Sequence, residues 1–156
     1  MGPLRKLRRP GYDKLDAARQ EIRLLILKKA AKISDDIHCE LRTTSLAKRP
    51  RPIYHTVSYV WDDEHDKRVV YLYERRIRIT ASAEQVLRRF RWREFDRILW
   101  IDALCINQID IAERSQQVAI MHEIFTECAR NLTWLGEDDG SMPQTTMALN
   151  AVYQDA

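Results

Sequence analysis

The sequence predicts an α/β fold: a short, mostly parallel sheet flanked by helices, with an antiparallel addition at the N-terminus. The main observation is a complete strand, helix and strand unit in residues 97–136. Strands joined by a helix of this length are parallel, and the connection is right-handed. A second observation is that short apolar runs alternate with amphipathic stretches upstream of this unit. A length of 156 residues favours one domain.

The N-terminal third of the chain is basic. Residues 1–51 contain 14 Lys or Arg and 6 Asp or Glu, whereas the rest of the chain contains 12 and 17. Residues 1–12 are predicted to form a basic disordered tail. The apolar residues from Leu15 to Ile33 have helical spacing, but residues 22–27 are also a compact β-rich run, so helix and strand compete there. We expect a short helix at residues 13–20 that runs into a strand at residues 22–27. A second strand is predicted at residues 37–45, because polar and apolar side chains alternate there.

Residues 54–61 predict a central strand, and a β-hairpin follows it. The hairpin pairs residues 69–73 with residues 76–79. Its turn, Glu74 and Arg75, lacks the Gly or Asn that two-residue loops prefer, so its register stays open.

A helix is predicted between the hairpin and the next strand. Ser82 and Gln85 have the spacing of a capping box, in which two side chains satisfy the free backbone N–H groups at a helix start. An apolar stripe with helical spacing continues to about Arg91. Residues 97–101 are a brief apolar run with polar neighbours, which indicates a buried strand.

A long crossover helix is predicted to begin near Ile111. Asp110 and Glu113 form a second capping box, and a helix of about 18 residues would rise about 27 Å. Its predicted inward face consists of the apolar residues Ile111, Val118, Met121, Phe125 and Cys128. Residues 132–135 predict the strand that closes the unit, and residues 142–153 predict a last helix.

Polar side chains gather between the strand at 97–101 and the crossover helix. In open parallel sheets, ligands bind where strands end and helices begin, because backbone N–H groups point there. The polar loop could instead serve only to cap the helix, and at this point both interpretations stay open. Asp102 favours a ligand or a strong partner, since a carboxylate at the rim of a core is costly unless it is hydrogen-bonded.

The segment LWIDALCINQIDIAERSQQVAIMHEIF, followed by WLG, resembles the signature of the fungal heterokaryon incompatibility (HET) domain. The resemblance extends upstream through YHTVSYVW to IRLLIL. It implies a HET-like domain at residues 13–156 with its core motif at 54–136. The family is similar in fold to TIR domains, a flavodoxin-like group, and residues 54–61 and 97–101 resemble the first and second TIR strands. The chain ends at Ala156, before a later family motif of the form R-x-W-T-x-Q-E, so we expect an incomplete domain and name no catalytic residue.

The resemblance implies a role in fungal non-self recognition and incompatibility cell death, through protein partners or self-association. It also implies NAD as a candidate cofactor, since enzymatic TIR domains cleave NAD, although the residues themselves show no cofactor motif. The residues expected to form the ligand pocket or motif are Ser58, Tyr59, Trp61, Asp102, Cys105, Asn107, Gln108, Glu113 and Arg114.

Three alternatives to an incompatibility domain stay open. One is a TIR-like NAD glycohydrolase that uses the pocket at Ser58, Trp61, Asp102, Asn107 and Gln108. Another is a truncated, inactive or regulatory HET fragment. A third is a cysteine hydrolase built on Cys105, which lies near a predicted helix start but has no histidine close in sequence.

Composition excludes several other classes of protein. No apolar run reaches about 18 residues, so no membrane span is predicted, and the basic N-terminus lacks the apolar segment of a secretory signal. Cys39, Cys105 and Cys128 have no paired spacing, which indicates reduced thiols and a cytoplasmic location, and no metal site is predicted. The basic runs contain no recognisable binding motif, so no specific nucleic-acid partner is expected.

Overall fold

The computed structural model describes residues 12–61 and 63–137. Within them one sheet is built from seven strands, β1 (Glu21–Leu27), β2 (His38–Ser45), β3 (His55–Tyr59), β4 (Lys67–Leu72), β5 (Arg75–Thr80), β6 (Arg97–Trp100) and β7 (Arg130–Trp134). The helices of these residues are α1 (Ala81–Phe90), α2 (Asp102–Cys105), α3 (Ile111–Ala119) and α4 (Met121–Glu127), and a 3₁₀ helix, Ala17–Arg19, precedes β1. The predicted α/β class is confirmed.

The strands lie in the order β5-β4-β2-β1-β6-β3-β7. Parallel pairs join β2 to β4, β3 to β6 and β3 to β7, while antiparallel pairs join β1 to β2, β1 to β6 and β4 to β5. The prediction of a mostly parallel sheet was therefore wrong, and the sheet is mixed. The reason is that β1 runs against both of its neighbours and separates the strands on either side.

The N-terminal hairpin is the centre of the sheet and not an addition to it. β1 is covered on both faces, and Ile22, Leu25 and Leu27 are completely buried. A strand that is apolar on both faces needs cover on both sides, which an edge position does not give. The strand at residues 54–61 was expected to be central. In the structure β3 instead lies between β6 and β7, one place from the end of the sheet.

β6 and β7 run parallel to each other, as predicted, but the helical connection between them differs from the prediction. Both strands are parallel to β3, which lies between them. The single long helix was wrong, because the chain breaks at Ile120 and forms α3 and α4. The predicted apolar face was also wrong at Ile111, which is 70% exposed, and Val118, which is 55% exposed. The face of α3 that is buried carries Glu113 and Gln117, both of which make hydrogen bonds in the interior.

Two helix starts differ from the sequence prediction. The helix predicted for residues 13–20 is only the 3₁₀ turn, which ends at Gln20 with a left-handed φ of 48°. The N-cap of α1 is Thr80, two residues before the predicted cap Ser82. The Thr80 Oγ1 accepts a hydrogen bond from the Ala83 N–H at 3.3 Å. Thr80 also ends β5, so strand and helix follow without a loop.

The β4–β5 turn lies at Tyr73 and Glu74, one residue earlier than predicted. Both residues adopt left-handed φ values, 50° and 61°, which are unusual outside glycine and asparagine. Side chains from the turn bind β2: the Tyr73 hydroxyl accepts a hydrogen bond from the Leu41 N–H at 3.1 Å, and Glu74 lies 3.1 Å from the His38 Nδ1. These contacts hold the turn against β2 without glycine.

The predictions for the two ends of the chain, a basic tail and a last helix, fall almost entirely outside the described residues. The predicted tail lies outside the described residues except for Tyr12, whose ring lies 4.9 Å from the guanidinium carbon of Arg23. The helix predicted at residues 142–153 also lies outside the described residues.

His55, the first residue of β3, is expected to make stability depend on pH. Its Nδ1 accepts a hydrogen bond from Arg97 Nε at 3.2 Å, and burial, Arg97 and Arg130 lower its pKa below 6.5. The unfolded chain then takes up a proton at a higher pH than the folded chain, so the free energy of unfolding falls as the pH drops from about 6.5 through the lowered pKa. Urea denaturation at about pH 7.5 and about pH 5.5 should show a larger loss for the wild type than for His55→Gln. Equal losses in the two proteins would contradict this assignment.

Candidate functional site

Three side chains meet at the carboxyl ends of β3 and β6, and we call them the rim group: Tyr59, Trp61 and Asp102. Tyr59 ends β3, and Asp102, two residues after the end of β6, begins α2. Because β3 and β6 are parallel neighbours, their ends lie side by side. The Tyr59 and Trp61 rings stack with centroids 6.3 Å apart, and the Trp61 side chain is hydrogen-bonded to Asp102.

The Asp102 carboxylate is half-buried, which sets its chemistry. Burial raises its pKa above the usual value, and hydrogen bonds from the Ala103 N–H, at 2.7 Å, and from Trp61 oppose that rise. Burial and the charge of Asp102 likewise raise the pKa of Tyr59. A partly desolvated carboxylate beside two aromatic rings can accept a hydrogen bond from a ligand or partner, or take a proton.

Gln108 and Ser58 flank the rim group in different ways. The Gln108 Nε2 donates a hydrogen bond to the Asp102 carbonyl at 3.0 Å, which folds the loop after α2 back onto Asp102. Ser58 is exposed, and as the neighbour of Tyr59 on β3 it faces the other side of the sheet. Gln108 therefore positions the rim group, whereas Ser58 does not share its face.

A second set of the polar residues forms a buried ion pair, which we call the Arg23–Glu113 node. Arg23, the third residue of β1, is completely buried, and its Nη1 and Nη2 lie 2.5 Å and 3.0 Å from the two Glu113 oxygens. Arg23 Nη1 also donates to the Cys105 carbonyl at 3.3 Å. Glu113 Oε1 accepts the Asn107 N–H at 2.8 Å, so the node ties β1 to the loop and to α3.

Half of the predicted capping box at α3 is present. Asp110 Oδ1 accepts the Glu113 N–H at 3.1 Å, as predicted for a helix start near Ile111. The reciprocal hydrogen bond of a capping box, from the Asp110 N–H to the Glu113 carboxylate, is not formed, because this carboxylate is held in the node. Arg114 is exposed on the same helix, apart from both groups.

The structure therefore divides the predicted pocket. Tyr59, Trp61, Asp102 and Gln108 come together at the rim, while Asn107 and Glu113 belong to the node. Arg23 was missed by the sequence analysis, although a charged residue inside the apolar run IRLLIL has to find a partner once it is buried. Its partner lies 90 residues further along the chain, and no local pattern indicates it.

Cys105 is not placed to act as a nucleophile. Its thiol is completely buried in the core, the Sγ accepts the Ile101 N–H at 3.4 Å, and burial raises its pKa to about 12. A nucleophilic thiol needs a lowered pKa and access to substrate. The geometry removes the main reason for considering a cysteine hydrolase.

The three cysteines are expected to react very differently with a thiol reagent. Cys39 and Cys105 are buried with pKa values raised to about 12, whereas Cys128 is partly exposed. At about pH 8 the two buried thiols would therefore stay protonated, and a protonated thiol is a poor nucleophile. Ellman's reagent should modify one thiol quickly in the folded protein and all three in urea, and Cys128→Ser should abolish the fast phase. Fast modification of Cys105 would contradict the burial.

Two kinds of site are not found in the described part of the chain. Among residues 12–61 and 63–137 no group of three or more His, Cys, Asp or Glu side chains could hold a metal ion. No helix in the same residues has the length and hydrophobicity that crossing a bilayer requires.

A surface groove of about 620 Å³ between the 3₁₀ helix and the end of β2 contains none of the predicted site residues.

Comparison with known proteins bears on the resemblance seen in the sequence. The family model described as Heterokaryon incompatibility protein (HET) matches residues 54–155. The chain is also 32% identical over 142 residues to "Heterokaryon incompatibility protein 6, OR allele" of Neurospora crassa. That match covers 81% of this chain and 21% of the relative, so the chain spans about a fifth of that protein's length. No solved structure matches the chain. Because the family model covers more than half of its residues, the chain belongs to the heterokaryon incompatibility (HET) family.

Proposed function

We propose that this chain acts as a HET domain in fungal non-self recognition and contributes to incompatibility cell death through contacts with other proteins, including like domains. The observation that carries the proposal is the family match over residues 54–155. It is supported by the name of the Neurospora crassa relative, which refers to heterokaryon incompatibility. The rim group, with its exposed surroundings, is the surface that we assign to these contacts.

The surroundings of the rim group have the composition of a contact surface. Val60 is 69% exposed, Trp61 56% and Leu135 53%. They follow the ends of β3 and β7, which are adjacent because Tyr59 pairs with Trp134. Exposed apolar side chains next to an aromatic anchor and one charged group are typical of binding surfaces. Asp102 would give such a contact its polar specificity.

Expression in a fungal host tests this role. Induction of the wild-type chain should arrest growth, and Trp61→Ala should relieve the arrest because it removes the largest exposed side chain of the rim group. Ile33→Ala is the matched control, since Ile33 is 62% exposed in the loop between β1 and β2, away from the rim. Normal growth of cells that accumulate the wild-type chain, or full arrest by Trp61→Ala, would contradict the proposal.

A second candidate function is the binding or cleavage of NAD in the manner of TIR domains. The parallel strands β3, β6 and β7 come in this order along the chain, with β4 and β5 between β3 and β6, and they lie in the order β6-β3-β7 in the sheet. This is the 2-1-3 order that begins a flavodoxin-like sheet, in which ligands bind at carboxyl ends where the strand order reverses. The rim group lies at the carboxyl ends of β3 and β6, beside the β3–β7 pair where the order reverses, and Asp102 is its carboxylate. These features support the candidate without identifying a catalytic residue.

Incubation with NAD tests the second candidate. Release of nicotinamide above a protein-free blank would support cleavage. A rise in melting temperature with NAD that is lost in Asp102→Asn would support binding, since a ligand of the folded state stabilises it. No nicotinamide and no thermal shift would contradict both forms of the proposal and leave the incompatibility role unaffected.

A further inference from the structure

Three adjacent parallel strands each begin with a basic residue. These residues lie at the amino ends of the strands, opposite the carboxyl ends that carry the rim group. β6 begins with Arg97, β3 with His55 and β7 with Arg130. His55 pairs in register with Arg130 and with Leu99, two residues after Arg97. Paired residues share a face of the sheet, and so do residues two apart on one strand. The three basic side chains therefore lie on one face.

Arg97 is a buried cation whose partners are neutral. It is 9% exposed, its Nη1 donates to the Phe90 carbonyl at 2.8 Å, and its Nε donates to His55 Nδ1 at 3.2 Å. Its guanidinium carbon lies 4.5 Å from the centre of the Trp92 ring. None of these contacts neutralises the charge, and a buried guanidinium without a counter-ion is unfavourable.

The charges near Arg97 add to the positive field. Burial and then Arg130 lower the pKa of Arg97 to about 10. Burial, Arg97 and Arg130 lower the pKa of His55. The closest acidic residue in sequence, Asp96, is paired with Lys28 at 3.2 Å. Within the described residues, the cluster therefore has cations on one face and no carboxylate that balances them.

Access to the cluster is open on one side. Arg130 is exposed, and Trp92 is 41% exposed beside His55, with ring centroids 6.1 Å apart. Because His55 Nδ1 accepts a bond from Arg97, the neutral ring carries its proton on Nε2 and can donate it to a ligand. An anion at this position would meet donors from three strands and one aromatic face.

We propose that His55, Arg97 and Arg130 form a binding site for a phosphate group. The two guanidinium groups and the His55 Nε2–H donate charge-assisted hydrogen bonds to phosphate oxygens, and the phosphate supplies the missing counter-ion of Arg97. The exposed face of Trp92 is placed to stack on the base of a nucleoside monophosphate, if the phosphate belongs to one. This site lies at the amino ends of the strands, whereas the rim group lies at carboxyl ends. The proposed phosphate site does not depend on the function proposed for the rim group.

Calorimetric titration with inorganic phosphate, at constant ionic strength set with NaCl, tests the site. The wild type should bind saturably, and Arg130→Gln should bind about tenfold more weakly, the effect of losing one charge-assisted hydrogen bond. Arg78→Gln, which changes an exposed arginine on β5, should bind like the wild type. Absence of saturable binding, or equal affinities of the two variants, would overturn the proposal.

A second titration, with AMP, distinguishes the two sources of phosphate. Tighter binding of AMP than of inorganic phosphate, with the difference lost in Trp92→Ala, would assign the site to a nucleoside monophosphate. Equal binding of both would assign it to free phosphate. Binding of AMP that is unaffected by Arg130→Gln would contradict the site.

Discussion

Replacing Glu113 with alanine is expected to lower the free energy of unfolding by about 3–5 kcal/mol. The substitution leaves the completely buried Arg23 guanidinium without its carboxylate, and an unpaired buried charge is far more costly than the pair is stabilising. It also removes the acceptor of the Asn107 N–H, which loosens the loop before α3. Urea denaturation of the wild type and the variant, followed by circular dichroism, measures the difference.

Two further variants separate the ion pair from a general effect of losing a glutamate. Glu123→Ala removes an exposed glutamate from the first turn of α4 and should cost less than about 1 kcal/mol. The double variant Arg23→Met, Glu113→Leu removes both charges and should recover much of the lost stability. If Glu113→Ala and Glu123→Ala behaved alike, the node would not hold the loop.

Asp102→Asn is expected to abolish growth arrest in the fungal host while raising stability. The pKa of Asp102 is raised in the folded state, so its charged form disfavours folding above that pKa. Asparagine removes this cost, and the gain in the free energy of unfolding should be present at about pH 7 and shrink as the pH falls towards the pKa of the unfolded carboxyl group. A residue that lowers stability yet lies at an exposed rim is typical of a functional position.

The controls for Asp102→Asn keep stability and function apart. Asp36→Asn changes an exposed aspartate in the loop between β1 and β2 and should leave both growth arrest and stability unchanged. Immunoblots should show that Asp102→Asn accumulates at least as well as the wild type. Growth arrest of normal strength by Asp102→Asn would remove the rim carboxylate from the mechanism.

The local elements could largely be predicted from the sequence, but their arrangement could not. Short apolar runs located β1, β6 and β7, and alternating polar and apolar residues located β2, because burial of a strand leaves a local trace in the sequence. The central place of β1 depends on pairing with β6, whose residues lie about 70 positions away, as in the pair Leu25 and Leu99. Pairing between distant strands leaves no periodicity, so the mixed sheet was not foreseen.

The candidate site was also predicted only in part, because only its local patterns are visible in the sequence. Asp102 stood out because a carboxylate directly follows an apolar strand, and Asp110 because a cap has a fixed spacing. The buried face of α3 was missed, since helical periodicity assumes that the inward face is apolar, whereas Glu113 and Gln117 face the interior here. That inversion is possible only because Arg23 and the Glu21 carbonyl supply their partners from β1.

The central claim is that the polar residues after β6 belong to two groups with opposite effects on stability. The most direct test is the urea midpoint of Asp102→Asn and of Glu113→Ala, each compared with the wild type at about pH 7. The expected result is a higher midpoint for Asp102→Asn and a lower midpoint for Glu113→Ala. A lower midpoint for both variants would show that Asp102 also serves to hold the fold, and would contradict the division into a functional rim and a structural node.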